Sequence, residues 1–457
     1  MEIEDRALPA AGAATTREQD TSVAAAAGML GLPGFRVLAV VELDGELQVQ
    51  VETCEDLVGC PSCAAVAVLH DRRLRLVRDL PAGGRPVLLC WSKRVWRCPH
   101  RVCPQLTWSE RTAAIRPRGV LTERARAEAC RRVGQDGHSV AQVAAGLGVG
   151  WPTVMRAVRE FGHRVLDAAW VDRAVTHLGV DETAFLAATA RAHTQFITGL
   201  VDLAPAGGGP ARLLDVVEGR SGGVVRDWLA ERGEQWCTGV QVAALDPFRG
   251  YDTALRAGLP AATVVLDPFH AVKLAQSTVD TVRRRVQQDT LGHRGRRGDP
   301  LYGIRRVLLR GAERHTVGSY TRLLAGLAAG DTGGQVSVAW IATQELRHVY
   351  GARDLAQARD RLCTFYTVCA DAGVPELHRL ARTITAWQDQ LLAYFTTGRA
   401  SNGPTEAVNL LIKRVKRVGF GFRNFENYRL RLLLHCGTTW HTHRTTRIRG
   451  RSPRPVS

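Results

Sequence analysis

Hydrophobic residues alternate with polar ones in the first third of the chain, a pattern typical of half-buried β-strands. Val37–Glu42 and Glu46–Glu52 are two such runs, and Asp44-Gly45 between them favours a hairpin turn. Val87–Trp96 predicts a further strand pair. After an Ala-rich, flexible leader over residues 1–33, we therefore expect a small β module over residues 34–115.

The apolar period lengthens to three and four residues between positions 116 and 170, which predicts helices. Ser139 can cap the second helix, and Gly148-Val149-Gly150 forms a tight turn before the third. Three helices with a short turn before the last predict a helix-turn-helix, with a plain three-helix bundle as the alternative. The expected helices are Leu121–Val133, Val140–Leu147 and Pro152–Phe161.

In a helix-turn-helix, the outer face of the last helix enters the major groove of DNA. The candidate DNA-binding residues on that face are Trp151, Thr153, Arg156 and Arg159. The candidate interior residues are Val143, Ala144, Leu147, Val149, Val154 and Val158.

Between residues 171 and 275 short apolar runs alternate with helical ones in the order β-β-β-α-β-α-β. A three-stranded meander followed by alternating α and β elements is the order of a ribonuclease-H-like fold. Asp181, Asp246 and Asp267 end the first, fourth and fifth strands, where open α/β sheets place their active sites. The expected elements are strands His177–Val180, Gln195–Asp202, Arg212–Glu218, Gly239–Leu245 and Ala262–Leu266, with helices Ser221–Arg232 and Tyr251–Ala257.

The chain from residue 276 to 400 has no strand pattern and predicts a helical insertion. Closing helices follow over residues 401–440, and Glu406 begins the first of them. The expected helices of the insertion are Lys273–Gln287, Leu301–Leu309, Gly318–Leu327, Gln335–His348, Leu355–Ala372 and Val374–Phe395. The cations expected to hold phosphates beside Glu406 are Lys413, Arg414, Lys416, Arg417 and Arg423.

The net charge of the chain indicates which class of molecule it binds. The 457 residues carry a formal net charge of +17, which favours nucleic acid, and residues 441–457 form a basic tail with five arginines and no acid. No apolar run approaches the roughly 20 residues that span a bilayer, and the first residues lack the features of a signal peptide. We therefore expect a soluble cytoplasmic protein with no membrane partner.

The eleven cysteines of such a chain are more typical of metal ligands or buried thiols than of disulfides. Cys60-Pro-Ser-Cys63 and the pair Cys98 and Cys103 lie beside predicted strands and fit a four-thiolate structural Zn²⁺ site. His100 could replace one sulfur. The alternative is scattered structural cysteines.

Three converging carboxylates repel one another unless cations lie between them. Two Mg²⁺ ions, or Mn²⁺, about 3.5–4 Å apart would relieve that repulsion and suit phosphoryl transfer. Asp181, Asp246 and Glu406 are the candidate catalytic ligands, with Asp267 and His270 as accessory or alternative groups.

Several distinct motifs occur together between Cys60 and His435. They are Cys60-Pro-Ser-Cys63 with Trp96-Arg-Cys98 and Cys103, Gly179-Val-Asp181-Glu-Thr-Ala-Phe185, Asp246 followed by Tyr251, Leu266-Asp267-Pro-Phe-His270-Ala-Val-Lys273, and Ser401-Asn402 through Glu406 to Gly421-Phe-Arg-Asn424. In this combination the chain resembles the DDE transposases of bacterial insertion sequences in the ISL-three group.

The resemblance implies a zinc module, a helix-turn-helix and a catalytic domain interrupted by helices. It also implies cleavage of insertion-sequence ends, transfer to target DNA, and at least a dimer on DNA at the nucleoid. By this resemblance Asp181 is the first catalytic Asp and Glu406 the closing Glu. Either Asp246 or Asp267 is the second, and the strand order favours Asp246. Pro268 stands where many relatives carry Arg.

Two rival functions are compatible with the same modules. One is a non-catalytic, zinc-containing DNA-binding regulator descended from a transposase. The other is a structure-specific nuclease that cuts DNA without joining it.

Overall fold

The structure is a computed structural model, and it describes residue 28 and residues 30–170, 174–190, 193–204 and 209–440. The predicted basic tail over residues 441–457 and nearly all of the predicted leader lie outside the described residues. The described chain divides into two compact units. One comprises residues up to Ala169 with Arg417–Gly421, and the other comprises Trp170–Lys416 with Phe422–Thr439.

The first unit begins with a five-stranded sheet of order β1-β2-β4-β3, with β5 paired to β4. Asp44 and Gly45 both have positive φ, 52° and 76°, so the predicted hairpin turn between β1 and β2 is confirmed. The apolar face of this sheet is buried around Val51, Leu89 and Trp91. The strands are β1 Phe35–Leu43, β2 Glu46–Thr53, β3 Val68–Ala82, β4 Arg85–Arg97 and β5 Thr107–Ser109.

The prediction of a strand pair within Val87–Trp96 is wrong. That segment is the single strand β4, and its antiparallel partner is β3. Prediction missed β3 because its first half is exposed and rich in arginine, so apolar alternation is absent from it.

Three helices follow in the first unit: α1 Glu123–Gly134, α2 Val140–Gly146 and α3 Trp151–Trp170. Ser139 caps α2 in a capping box with Gln142, as its position predicted. The predicted end of the last helix at Phe161 is wrong, because Leu166 continues its buried face. The order and the tight turn at Gly148 are those of the predicted helix-turn-helix.

The second unit contains a five-stranded sheet of order β10-β9-β6-β7-β8. Strands β6, β7 and β8 are antiparallel, whereas β9 pairs with β6 in parallel and β10 pairs with β9 in parallel. The strands are β6 His177–Leu186, β7 Gln195–Asp202, β8 Arg212–Glu218, β9 Val242–Leu245 and β10 Thr263–Leu266, and the helices between them are α4 Gly222–Arg232, α5 Glu234–Gly239 and α6 Arg249–Gly258.

Two predicted strand limits in this sheet are wrong. β6 does not end before Asp181 but runs to Leu186, because β7 continues to pair with it and Asp181 lies opposite Gly199. β9 begins at Val242 and not at Gly239, because the unpredicted helix α5 occupies the preceding residues.

From residue 268 to residue 440, all of which are described, the chain has helices and no strand. The predicted helix Leu301–Leu309 is wrong beyond Gly303, where turns follow, and Val374–Phe395 is broken at Trp387. The helices are α7 Pro268–Leu291, α8 Pro300–Gly303, α9 Val317–Gly330, α10 Gln335–Tyr350, α11 Leu355–Asp371, α12 Pro375–Ala386, α13 Gln388–Leu392, α14 Gly403–Val418 and α15 Phe425–Leu432, with 3₁₀ turns Ala312–Arg314 and Ala393–Phe395 and a π-helical turn Leu433–Gly437. None of the described helices combines the length and apolar character that crossing a membrane requires.

Gly179 positions α14 against the sheet. A Cβ atom on it would lie 2.3 Å from Thr405 Oγ1 and 2.8 Å from Asn402 Oδ1. Since real Cβ contacts are never that short, only glycine lets the first turn of α14 lie so close to β6.

Candidate metal and catalytic sites

The four predicted zinc ligands form one cluster in the first unit. Cys60 Sγ lies 3.8 Å from Cys103 Sγ, and Cys63 Sγ lies 3.5 Å from Cys98 Sγ. Sulfurs on a tetrahedron about 2.3 Å from a central Zn²⁺ are separated by roughly 3.8 Å, so the geometry fits this ion. His100 is exposed and lies outside the cluster.

The last helix of the helix-turn-helix exposes most of the predicted DNA-binding residues. Trp151 is 46% exposed, and Arg156 and Arg159 are also exposed. Thr153 is only half-buried. Behind them Val154, Met155 and Val158 are fully buried.

Asp246, Asp267 and His270 meet at the carboxyl ends of β9 and β10 in the second unit. His270 Nδ1 lies 2.9 Å from Asp246 Oδ1 and 3.0 Å from Asp267 Oδ2. Asp267 also caps α7, where its carboxylate accepts the backbone N–H of His270. Burial alone would lower the pKa of His270, but its hydrogen bonds to Asp246 and Asp267 outweigh burial and raise it to about 10.

Asp181 lies in β6 where the parallel pairing with β9 ends, since Val180 is the last residue opposite β9. Its carboxylate accepts a hydrogen bond of 2.5 Å from Asn409 Nδ2. Burial, and then the negative charge of Asp246, raise the pKa of Asp181 to about 7. Asp181 and Asp246 therefore lie close enough to repel each other when both are ionised.

Glu406 is half-buried in the first turn of α14. It precedes Asn409 by three residues, so the two side chains share a face of that helix, and Asn409 contacts Asp181. In the described part of the chain the Glu406 carboxylate has no ion-pair partner.

Asn402 is a residue of this site that the sequence analysis did not single out. It is 1% exposed, and its Nδ2 donates to Val180 O at 3.1 Å and to Asp246 Oδ1 at 3.3 Å. Its backbone N–H donates to Asp267 Oδ1 at 3.0 Å. Asn402, by its side chain and its backbone together, thus connects the start of α14 to strand β6 and to both of the alternative second acids. In the sequence it belongs to the motif that begins Ser401-Asn402, but its place before a helix is typical of a cap and indicated no role in the site.

The predicted phosphate-binding cations lie on α14 and just beyond it. Lys413, Arg414, Arg417 and Arg423 are exposed. Lys416 differs, because it is half-buried and its Nζ donates to Ala184 O at 2.9 Å. It therefore fastens α14 to β6 in this structure.

Comparison with known proteins gives matches to three successive segments. Residues 56–103 match the zinc-finger of transposase IS204/IS1001/IS1096/IS1165, residues 110–162 match the helix-turn-helix domain of transposase family ISL3, and residues 178–432 match the transposase domain of the same family. The Cys60 cluster lies within the matched zinc-finger segment, which supports a structural Zn²⁺ in this module.

A zinc ribbon, a helix-turn-helix and a mixed α/β domain in this order define a DNA-binding transposase. The chain belongs to the ISL3 family of transposases. Over 394 residues it is 25% identical to the transposase for insertion sequence element IS1001 of Bordetella parapertussis, an alignment that covers 84% of this chain and 90% of that protein.

Proposed function

We propose that the chain cleaves insertion-sequence ends and joins them to target DNA by metal-dependent phosphoryl transfer, with Asp181, Asp246 and Glu406 as the metal-binding acids. The observation that carries this proposal is the pairing of Val180 in β6 with Leu245 in β9, which puts Asp181 and Asp246 side by side at one sheet edge, with α14 bound there through Asn409. Two half-buried carboxylates side by side repel each other when both are ionised, so the pair suits a divalent ion.

The fold supports the same proposal. The order β8-β7-β6-β9-β10, with the three antiparallel strands first in the chain, is that of a ribonuclease-H-like sheet. On this assignment residues 171–275 and 401–440 form the catalytic core, and residues 276–400 are a helical insertion. Residues 34–115 and 116–170 are then the zinc module and the helix-turn-helix domain.

Asp246 suits the role of second acid better than Asp267 does. The Asp246 side chain is 17% exposed and lies beside Asp181, whereas that of Asp267 is 3% exposed. Asp267 is already engaged by the backbone of His270 and of Asn402. We assign Asp267 and His270 to positioning Asp246.

Bound Mg²⁺ or Mn²⁺, two ions in the proposed site, would activate the attacking oxygen and stabilise the leaving one. The chain's own residues hold the acids in place: Asn409 orients Asp181, and Asn402 orients Asp246. Lys413, Arg414, Arg417 and Arg423 would bind phosphates of the DNA, and Trp151, Thr153, Arg156 and Arg159 would read the major groove.

Because two ends must be handled together, we also propose at least a dimer on DNA. Its place of action would be the nucleoid.

The test is Mg²⁺-dependent cleavage of duplex DNA that carries the element's ends. Asp181→Asn and Asp246→Asn should each lower the cleavage rate by at least about a hundredfold while end binding persists, because each removes a metal ligand. Asp227→Asn is the matched control, since the Asp227 side chain is 71% exposed on α4. Cleavage by Asp181→Asn at the parent rate would refute the assignment.

The products of the same reaction distinguish a transposase from the two rival functions, a nuclease and a DNA-binding regulator. A transposase yields end-to-target joints, a nuclease yields only cut ends, and a DNA-binding regulator yields neither while still binding. The candidate acids at the sheet edge and in the first turn of α14 argue against the DNA-binding regulator, because a protein that only binds DNA has no need of metal-binding acids.

A further inference from the structure

Cationic side chains lie together on one face of strands β3 and β4 in the first unit. In the antiparallel pairing of these strands, Arg73 lies opposite Lys93 and Arg75 lies opposite Trp91. Alternate residues of a strand face the same side, so both arginines share a face with Lys93. The Nζ atom of Lys93 lies 5.1 Å from the centre of the Trp91 ring. Three cations therefore lie around one aromatic ring.

A fourth cation, Arg111, reaches the same place from the segment that follows β5. Glu110, just before it, is bonded to the backbone of Arg94: its N–H donates to Arg94 O at 3.1 Å, and its carboxylate accepts the Arg94 N–H at 2.7 Å. Arg111 is thus next to the part of β4 that carries Lys93. We call Arg73, Arg75, Lys93 and Arg111 the β3–β4 cation cluster.

The charges of this cluster are not neutralised within the first unit. No described carboxylate lies at ion-pair distance from Arg75, Lys93 or Arg111, and Arg73 has only the exposed Asp71 at 3.7 Å. Burial, and then the positive charges of Arg75 and Arg111, lower the pKa of Lys93. Since like charges directly opposite each other destabilise a sheet, this arrangement costs stability unless an anion binds to it.

The nearest acid, Glu110, is already engaged. It is buried, and its carboxylate accepts hydrogen bonds from Thr53 Oγ1 at 2.6 Å, Trp91 Nε1 at 3.1 Å and Arg94 Nε at 3.2 Å. Arg94 therefore neutralises it, although its charge partly opposes the lowered pKa of Lys93. The anion that the cluster would bind has to come from another molecule.

The strand that carries two of these cations is bonded to the helix-turn-helix. Asp79 follows Arg75 by four residues on the same face of β3, about 13 Å along the strand. Its carboxylate accepts hydrogen bonds from Thr122 Oγ1 at 2.6 Å and from Arg124 Nε at 2.9 Å, at the start of α1. The sheet and the first helix are therefore held together directly.

The segment that carries Arg111 is bonded to α3 as well. Arg116 pairs with Glu160 of α3 at 2.7 Å and with Glu123 of α1 at 2.6 Å. The cation cluster and α3 belong to the same compact unit. Their separation is therefore fixed by contacts within that unit.

We propose that the β3–β4 cation cluster binds backbone phosphates of the same DNA duplex whose major groove α3 enters. The inference depends on DNA binding and not on the proposed cleavage, and it gives the zinc module a contact surface of its own. Phosphate contacts carry no sequence information, but they fix the register and orientation of a protein on DNA. The cluster would thus set where α3 enters the groove, and the phosphates would relieve the repulsion among its cations.

The experiment measures binding of the zinc-loaded full chain to a duplex of the element's ends by fluorescence anisotropy over a range of salt concentrations. Lys93→Gln and Arg111→Gln should each weaken binding by about tenfold, the usual effect of losing a hydrogen bond to a charged group. Each should also lower the slope of log affinity against log salt by about one, because one phosphate contact fewer releases fewer counterions. Duplexes without the ends should be weakened by the same factor.

Two further variants show that charge at this place is what matters. Lys93→Arg should bind as the parent does. Arg36→Gln is the matched control, since Arg36 lies in the same module, 51% exposed at its side chain, but is paired with Asp56. Thermal unfolding and zinc content exclude a loss of fold: Lys93→Gln and Arg111→Gln should keep zinc and melt no lower than the parent, because each removes like-charge repulsion.

Neutral methylphosphonates, placed at one phosphate of the duplex at a time, locate the contact. Positions that weaken binding of the parent but no longer affect Lys93→Gln mark the phosphates of the cluster, and they should differ from the positions lost in Arg156→Gln of α3. The proposal is overturned if Lys93→Gln and Arg111→Gln bind with the parent's affinity and salt slope, if they weaken binding only by losing zinc or unfolding, or if the two sets of positions coincide. Failure of the proposed cleavage is a separate result, in which Asp181→Asn cuts at the parent rate and these binding measurements are unchanged.

Discussion

At the scale of single residues, Asn402 has the most connections in the candidate site. Its side chain and backbone together contact Val180, Asp246 and Asp267, which belong to three different strands or their ends. Its Oδ1 is buried and has no hydrogen-bond partner among the described residues. A buried acceptor without a partner costs stability, which is consistent with a role in positioning the acids.

Asn402→Ala should lower cleavage by about 10- to 100-fold, the usual loss when a residue that orients a metal ligand is removed. The loss should shrink at high Mg²⁺, because the acids remain and only their placement changes. A Mg²⁺ titration of the cleavage rate measures this. The control is Gln276→Ala, whose amide bonds Leu309 O on an exposed surface. An Asn402→Ala rate equal to the parent's at every Mg²⁺ concentration would show that the amide positions nothing.

Gly179→Ala should lower the free energy of unfolding by about 1–3 kcal/mol, because overpacking forces neighbours to move. The added methyl would meet Thr405 Oγ1, Asn402 Oδ1 and Leu203 Cδ2 at 2.3–2.8 Å. Gly199→Ala on the adjacent strand is the matched control, since its nearest neighbours would be 3.8 Å and 3.9 Å away. Urea unfolding of the two variants measures this difference in the free energy of unfolding. Equal stability of the two variants would contradict the close approach of α14 to β6.

Asp181 and Asp246 could be proposed as site residues from the sequence because each follows an apolar run of one predicted sheet, and the four thiols because they form two closely spaced pairs. Asn402 was not predictable as a site residue, since an Asn before a helix usually caps it. Its actual contacts come from residues about 135 to 220 positions away in the chain, which local patterns do not show.

At the scale of elements, strand β8 and helix α15 are joined by a buried ion pair. Asp215, 3% exposed at its side chain, accepts hydrogen bonds from Arg429 Nε at 2.7 Å and from Trp228 Nε1 at 3.0 Å. Removing the guanidinium leaves a buried charge without its cation.

Arg429→Met should therefore destabilise the second unit by about 2 kcal/mol, less than a fully buried pair because the Arg429 side chain is 38% exposed. Arg226→Met is the control, as the Arg226–Asp227 pair is exposed on both sides. Thermal unfolding of the full chain measures the difference. If the two variants melt together, α15 is held to β8 by packing and not by this pair.

The fold of the zinc ribbon should depend on its bound metal. Cys63→Ser should abolish zinc binding, because only three thiolates remain, and should expose the surrounding strands to protease. Cys54→Ser, at an exposed cysteine outside the cluster, should keep zinc. Metal analysis of the purified variants, with limited proteolysis before and after chelation, tests this. Retained zinc in Cys63→Ser would remove that residue from the ligand set.

The elements themselves were predictable where their burial was regular. β7 and β8 match their predicted limits because both are buried along most of their length. β3 was missed because its exposed arginines conceal the strand period. The extension of β6 past Asp181 depends on pairing with β7, which is a tertiary contact and not a local pattern.

At the scale of the whole molecule, the order of modules was predictable because each has its own period and its own residue types. Thiolate pairs beside strands, a capped three-helix segment and a β-β-β-α-β-α-β run follow one another in the chain. Glu406 was expected near the strand acids, but the contacts that place α14 on the sheet were not predictable, since a helical segment of more than a hundred residues separates it from β10. Only the fold brings Asn402 and Asn409 to Asp246 and Asp181.

The proposed cleavage requires Glu406 to act with the two strand acids, although it lies 225 residues after Asp181 in the chain. The most direct measurement is the rate at which Glu406→Gln cuts end-bearing DNA in Mg²⁺, beside the parent and Asp227→Asn. We expect Glu406→Gln to bind the ends as the parent does and to cut at least about a hundredfold more slowly, because an amide is a poor replacement for a metal-binding carboxylate. Cleavage by Glu406→Gln at the parent rate would contradict the account.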